Sequence, residues 1–166
     1  MKLSITIFAA AAASGVLADF WVIYLVQNVL DVPLIAFSRY SEGAVFARHA
    51  DFNCERDTGA HYIYPNSADV SGDKLGMRTV PGQDVGFPFY RDPLDVVEFN
   101  TGSARPGHHT IYKDRGYAMV DLDGKKTGQC FLNRTFTINE DCYRGDTHVT
   151  MRGSSMFFCK SDIEVN

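Results

Sequence analysis

The chain lacks the features that mark several large classes of protein. None of its apolar runs reaches the roughly 20 residues that a membrane-spanning helix needs. Its lysines and arginines are scattered, with Lys125 and Lys126 the sole adjacent pair, and the net charge is −4. Because nucleic acids and anionic lipid surfaces attract clustered basic residues, neither partner is expected.

Signature motifs of common hydrolases and metalloenzymes are also absent. The sequence has no Gly-x-Ser-x-Gly, no His-Glu-x-x-His, no glycine-rich phosphate loop and no Cys-x-x-Cys pair. Asp121–Gly124 looks like the start of a calcium loop, but Lys125 and Leu132 stand where further oxygen ligands are needed. A tight turn is therefore predicted there, and no metal or cofactor is expected.

The first 18 residues have the pattern of an export signal. Lys2 precedes an apolar run from Leu3 to Ala13, and small residues end the segment at Ala18. We expect cleavage after Ala18, which leaves residues 19–166 as a single secreted, extracellular domain without membrane insertion. Cytosolic enzyme classes are then not expected.

Four cysteines, Cys54, Cys130, Cys142 and Cys159, remain in the exported chain. Outside the cell an even number of cysteines predicts disulfides, which excludes thiol catalysis, and four cysteines allow three connectivities. The pairing we favour is Cys130–Cys142, closing one hairpin, with Cys54–Cys159 tying an early loop to the last strand. The glycosylation sequon Asn133–Thr135 is then expected at an exposed hairpin tip.

Short runs rich in β-branched and aromatic residues, separated by turn formers, predict an all-β protein of eight to ten strands. Phe20–Val26 is apolar on both faces, which predicts a central strand. The other predicted strands are Leu34–Tyr40, Gly43–Phe52 (less clearly), Leu75–Val80, His109–Lys113, Tyr117–Leu122, Thr127–Leu132, Thr147–Arg152 and Met156–Lys160. The last two form a terminal hairpin hinged at Gly153–Ser155. An antiparallel β-sandwich or small β-barrel with a β-meander and two disulfides is the expected fold class.

Residues 57–95 differ in character from the rest of the chain. Proline, glycine, asparagine and aspartate crowd this segment, which predicts a long loop. Its aromatic residues are Tyr62, Tyr64, Phe87, Phe89 and Tyr90. We favour the interpretation that they pack the loop onto the core, with recognition of a partner as the alternative.

A small secreted hydrolase, ribonuclease-like, is the enzymatic alternative. Its site needs a His, a Glu and an Arg around a phosphate, and the residues of these types are His61, Glu98, His108 and Arg115. No local motif joins them, so this hypothesis rests on residue types. Whether His49 approaches His61 depends on the fold and is left open by the sequence.

Two stretches and the cysteine pattern resemble a known group of proteins. Asp19–Val22, and Gly107–Asp121 leading to Gly128–Cys130, together with the four cysteines, are similar to small secreted proteins of filamentous fungi. The similarity extends to the hypersensitive-response-inducing protein elicitors of plant pathogens, of the rice blast type. This resemblance implies an apoplastic protein that plants perceive, with defence or cell death as the response. It implies no catalytic residue.

The leading hypothesis is therefore a secreted effector or elicitor that acts by binding, not as an enzyme. We expect a monomer whose partner is an unknown host receptor or apoplastic target, contacted through hairpin tips and the 57–95 loop. A cell-wall carbohydrate-binding protein is a further alternative. It needs exposed aromatic residues, and the sole tryptophan, Trp21, is expected to be buried.

Overall fold

The computed structural model describes residues 18–31, 38–57, 61–80, 94–163 and 165, and within these ranges the prediction of an all-β protein is confirmed. The strands are β1 (Phe20–Asp31), β2 (Ser38–Ala47), β3 (Tyr64–Pro65), β4 (Gly76–Val80), β5 (Val96–Asn100), β6 (His108–Tyr112), β7 (Ala118–Val120), β8 (Lys126–Leu132), β9 (Thr137–Arg144) and β10 (Thr147–Ser161). A helical turn, α1 (Cys54–Asp57), follows β2, and a 3-10 turn (Lys113–Arg115) follows β6. No helix in these ranges has the length and apolar character needed to cross a membrane.

Several predictions fall outside the described residues. They are most of the export signal, the first half of the predicted strand Leu34–Tyr40, and the loop aromatics Phe87, Phe89 and Tyr90. The predicted short strand at Leu75–Val80 does lie within them and is confirmed as β4.

The strands form one antiparallel sheet that curls into a nearly closed barrel. Their order is β3-β2-β1-β10-β8-β7-β6-β5-β4, with β9 also paired to β10. The backbone N–H of Ser67, just after β3, donates to the carbonyl of Met77 on β4 at 2.9 Å. This contact brings the two ends of the sheet together, so the barrel is the alternative that the structure selects over the sandwich.

The central position predicted for the first strand is confirmed, because β1 pairs with both β2 and β10. Side chains alternate across a strand, so Phe20, Val22 and Tyr24 face the barrel interior while Ile23 and Leu25 face outward. All five are buried. The outward pair is covered by a second core, which explains why β1 is apolar on both faces.

The two cores differ in composition and place. Inside the barrel, the Phe46 ring contacts Phe99 at 4.6 Å between centroids and also lies against Phe20 and Tyr64. The outer core lies where α1 and the residues around it pack against β9 and β10. Its buried members are Ile23, Leu25, Val45, Ala47, Phe52, Cys54, Ile138, Cys142, Val149 and Met151.

The predicted meander is confirmed as β6, β7 and β8. Gly116, with a φ of +63°, follows the 3-10 turn and reverses the chain between the first two strands. The turn predicted at Asp121–Gly124 is also present. The N–H of Gly124, at a φ of +78°, donates to the Asp121 carbonyl at 3.0 Å, and this left-handed conformation suits glycine.

The predicted terminal hairpin is wrong, because β10 continues through Gly153–Ser155 as a single strand of 15 residues. The small residues at these positions do not form a turn but allow the backbones of β10 and β1 to lie close together. A Cβ atom at Gly153 would lie 2.5 Å from the carbonyl oxygen of Tyr24 on β1. The C-terminal hairpin is instead made by β9 and β10, which turn at Gly145.

The preferred disulfide pairing is also wrong, since the bonds are Cys54–Cys142 and Cys130–Cys159. Cys130 on β8 lies directly opposite Cys159 on β10. Cys142 on β9 belongs to the outer core, where it joins Cys54 of α1. The prediction of two disulfides is confirmed, and each bond crosslinks residues of a different core.

The sequon Asn133–Thr135 does not lie at a hairpin tip. β8 and β9 pair with successive stretches of β10, so they follow one another along the same edge. The sequon lies in the connection between them, and Asn133 is half-buried. Its side-chain oxygen accepts a hydrogen bond from the Thr135 N–H at 3.2 Å.

Candidate functional site

The outer face of the barrel carries a cluster of complementary charges on three neighbouring strands. Val97 and Phe99 of β5 point into the barrel, so Glu98 between them points outward. Arg78 on β4 lies directly opposite Glu98, and His108 on β6 lies diagonally across from it. The register of three strands therefore gathers residues that are up to 30 positions apart.

Both carboxylate oxygens of Glu98 have partners. The Arg78 Nε–H donates to Oε2 at 2.8 Å, and an Nη2 of the same guanidinium lies 2.7 Å from that oxygen. His108 Nε2 lies 3.1 Å from Oε1. The side chains of Glu98 and His108 are 19% and 11% exposed against 37% for Arg78, so solvent reaches the cluster from the arginine side.

These contacts fix the charge of Glu98. Burial opposes ionisation, but the hydrogen bonds from His108 and Arg78 outweigh it and lower the pKa of the carboxyl group. Glu98 is thus an anion at neutral pH. An anionic acceptor beside an imidazole and a guanidinium has the group types for proton transfer at a phosphate or carbonyl centre.

The four residues named from the sequence for a ribonuclease-like site are only partly brought together. Glu98 and His108 are in contact, but Arg115 packs over the Tyr112 ring, 4.4 Å from its centroid, at the far end of β6. His61 is not part of this cluster, because it lies between α1 and β3. Arg78 was missed, because only the β4–β5 register reveals it.

His61 lies in a group whose side chains are all potential metal ligands. Its neighbours are His49, with ring centroids 5.9 Å apart, and Asp57, whose Oδ1 is 3.8 Å from His61 Nε2. Burial lowers the pKa of His61 against the attraction of Asp57. The sequence left open whether His49 approaches His61, and the structure shows that the two residues lie close together.

A cleft of about 500 Å³ opens on the surface between the segment before β3 and the loop after β5. Tyr64 is buried there, which fits the expected packing role, whereas Tyr62 is 61% exposed, and its ring is tilted against that of Tyr64 with centroids 4.7 Å apart. Burial raises the pKa of Tyr64, so its hydroxyl stays protonated at neutral pH. The remaining lining residues are Gly72, Asp73, Leu75 and Thr101–Ala104.

Trp21 does not contribute to this cleft. It is half-buried and packs against Phe136 and Phe158, with ring centroids 5.2 Å and 4.9 Å away. Of the two tyrosines that line the cleft, Tyr62 is the exposed one, and it belongs to the segment that the sequence singled out.

The fold and these sites define a disulfide-stapled antiparallel β-barrel with a cross-strand charge cluster and an aromatic surface cleft. Comparison with protein-family models, with curated proteins and with solved structures returned no match to this chain. The arguments about function consequently rest on the chain's own residues.

Proposed function

We propose that the chain is a secreted fungal effector or elicitor that acts by binding a host target in the plant apoplast. The observation that carries this proposal is the aromatic cleft on the surface of a barrel that two disulfides crosslink. An exposed tyrosine ring offers a large contact area at low entropic cost, and tyrosines are enriched in binding hot spots. The resemblance to protein elicitors and the two disulfides, which suit an oxidising compartment, support the same assignment.

The cleft makes a specific prediction for plant tissue. Infiltration of the purified, oxidised protein into leaves is expected to cause local cell death, and Tyr62→Ala is expected to reduce this response by tenfold or more in dose. The substitution removes the exposed ring but leaves the buried Tyr64 and its core contacts in place. The measurement is the dose of protein that gives half-maximal ion leakage from leaf discs.

The matched control is Phe131→Ala, which removes an exposed aromatic ring from β8, away from the cleft and from the hairpin tips. It is expected to act like the parent protein. A parent without any plant response would contradict the elicitor proposal as a whole. Equal potency of Tyr62→Ala and Phe131→Ala would instead remove the cleft from it.

A second candidate function, phosphodiester hydrolysis, is favoured by the contact between Glu98 and His108. In this mechanism the Glu98 carboxylate accepts the proton of the attacking hydroxyl, His108 donates a proton to the leaving oxygen, and Arg78 binds the phosphate. The 3.1 Å contact between Oε1 and Nε2 must open to admit the substrate. The proposed hydrolysis therefore requires Glu98 and His108 to separate before the substrate binds.

RNA cleavage is the measurement that decides this candidate. Glu98→Gln keeps the shape of the side chain and removes the base, so cleavage is expected to fall by about 10²–10⁴-fold. Lys113→Ala, which breaks the exposed ion pair between the 3-10 turn and Asp95 just before β5, is expected to keep parental activity. A parent that leaves RNA intact, or cleavage that survives Glu98→Gln, would exclude the hydrolase.

A further inference from the structure

Two histidines and an aspartate converge next to the outer core. All three lie in the connection between β2 and β3, where His49 follows β2, Asp57 ends α1 and His61 precedes β3. Each residue presents one potential ligand atom, and these atoms all lie within 4.8 Å of one another. No sequence motif joins these residues, and the group lies beside α1, which packs against β9 and β10.

The carboxylate of Asp57 is held firmly in place. Its side chain is 2% exposed. The backbone N–H of Asn53 donates to Oδ2 at 2.7 Å, while the Arg56 Nε–H donates to Oδ1 at 2.9 Å and an Nη2–H to Oδ2 at 2.8 Å. Cys54, at the start of α1, ties the same helical turn to β9. A carboxylate fixed in this way by outer hydrogen bonds is preorganised for a ligand.

The imidazoles lie against an apolar wall and open to solvent on one side. The Phe52 ring lies 5.2 Å from His61 and 5.8 Å from His49, measured between centroids. The His61 side chain is 16% exposed and that of His49 is 40% exposed, so His49 marks the entrance. Asp51 Oδ1 lies 3.1 Å from Nδ1 of His49, but this buried nitrogen accepts and donates no hydrogen bond within the described residues.

The distances fit a small divalent ion after a modest closure. In a tetrahedral zinc site with bonds of 2.0–2.1 Å, neighbouring ligand atoms are about 3.3 Å apart. His61 Nε2 and Asp57 Oδ1 are separated by 3.8 Å, and no pair in the group exceeds 4.8 Å. Closing the group to tetrahedral distances therefore requires the ligand atoms to approach one another by about 0.5–1.5 Å.

We propose that His49, Asp57 and His61 bind a divalent first-row transition metal ion, with Zn²⁺ as the representative. Imidazole and carboxylate ligands suit this ion, and three protein ligands leave a fourth position open to water or to a group of a partner. Arg56 stays on the carboxylate as the donor that orients it. The sequence led us to expect no metal, but it left open whether His49 and His61 converge.

Zinc titration of the oxidised, EDTA-treated protein tests the proposal directly. Calorimetry is expected to show one saturable site per chain, with at least tenfold weaker binding in His49→Ala and in His61→Ala. Zinc at a hundredfold excess over Kd is expected to raise the Tm of the parent by about 5–10 °C. Co²⁺ in place of Zn²⁺ is expected to give a visible absorption band that both substitutions remove.

His148→Ala is the matched control, because that histidine pairs with Asp141 on β9, outside the group. It is expected to bind zinc like the parent. Melting curves in EDTA check that each variant folds, and His61→Gln replaces His61→Ala if the alanine variant does not. Absence of saturable binding by the parent, or equal affinity in the parent, His49→Ala and His61→Ala, would overturn the site.

Discussion

Replacing Cys54 and Cys142 together by alanine is expected to lower the free energy of unfolding by about 4.5 kcal/mol. The bond joins residues 88 positions apart, so its loss frees a long loop in the unfolded chain. In the folded state the bond attaches α1 to β9 across the outer core, and Cys54 is 1% exposed. Guanidinium unfolding followed by the fluorescence of Trp21, the single tryptophan, measures the change.

The second disulfide provides the comparison. Cys130–Cys159 spans 29 positions, and the same chain-entropy relation assigns its removal about 3.5 kcal/mol. Both bonds are buried, so alanine pairs change burial similarly at the two places. A loss below about 1 kcal/mol for the Cys54/Cys142 variant, or a larger loss for the Cys130/Cys159 variant, would contradict the loop-length argument.

Phe46→Ala is expected to destabilise the protein by about 3–5 kcal/mol and to lower its Tm by about 10 °C or more. Phe46 is 5% exposed and lies at the centre of the barrel, where the rings of Phe20, Tyr64 and Phe99 surround it. Truncation leaves a cavity between β1–β3 and β5, which lie towards opposite ends of the sheet and face each other across the barrel. Those strands cannot collapse inward without breaking their register, which keeps the cost high.

Phe131→Ala on β8 is the matched control. Its ring is 48% exposed, so its removal is expected to change the free energy of unfolding by no more than about 0.5 kcal/mol. Thermal melting of both variants under identical conditions gives the comparison. If the two substitutions had equal effects, the assignment of Phe46 to the barrel core would be incorrect.

The sequence predicted the elements that depend on near neighbours. The meander β6–β8 follows from short turns at Gly116 and Asp121–Gly124, and the central place of β1 follows from its apolar character on both faces. Both signals lie within a few residues along the chain. The all-β class follows from the same local signals.

The predictions failed where the result depends on the pairing of strands that are distant in the sequence. The residues Gly153–Ser155 are compatible with a turn or with a close approach between paired strands. Only the position of Tyr24 on β1 distinguishes the two. The cysteine pairing depends on β8 and β9 lying in succession along β10, which no local pattern encodes. Glu98 and His108 were found by residue type, whereas their partner Arg78 required the β4–β5 register.

The pairing of β1 with β10 has a consequence for how this protein is made. Even the closest paired residues of these strands, Asp31 and Thr147, are separated by 116 positions. β1 is synthesised early, is apolar on both faces, and gains this partner only after more than a hundred further residues have been added. Such non-local pairing slows folding and leaves an aggregation-prone strand exposed meanwhile. We therefore expect the yield of folded protein to depend on how well that first strand is protected until β10 has been synthesised.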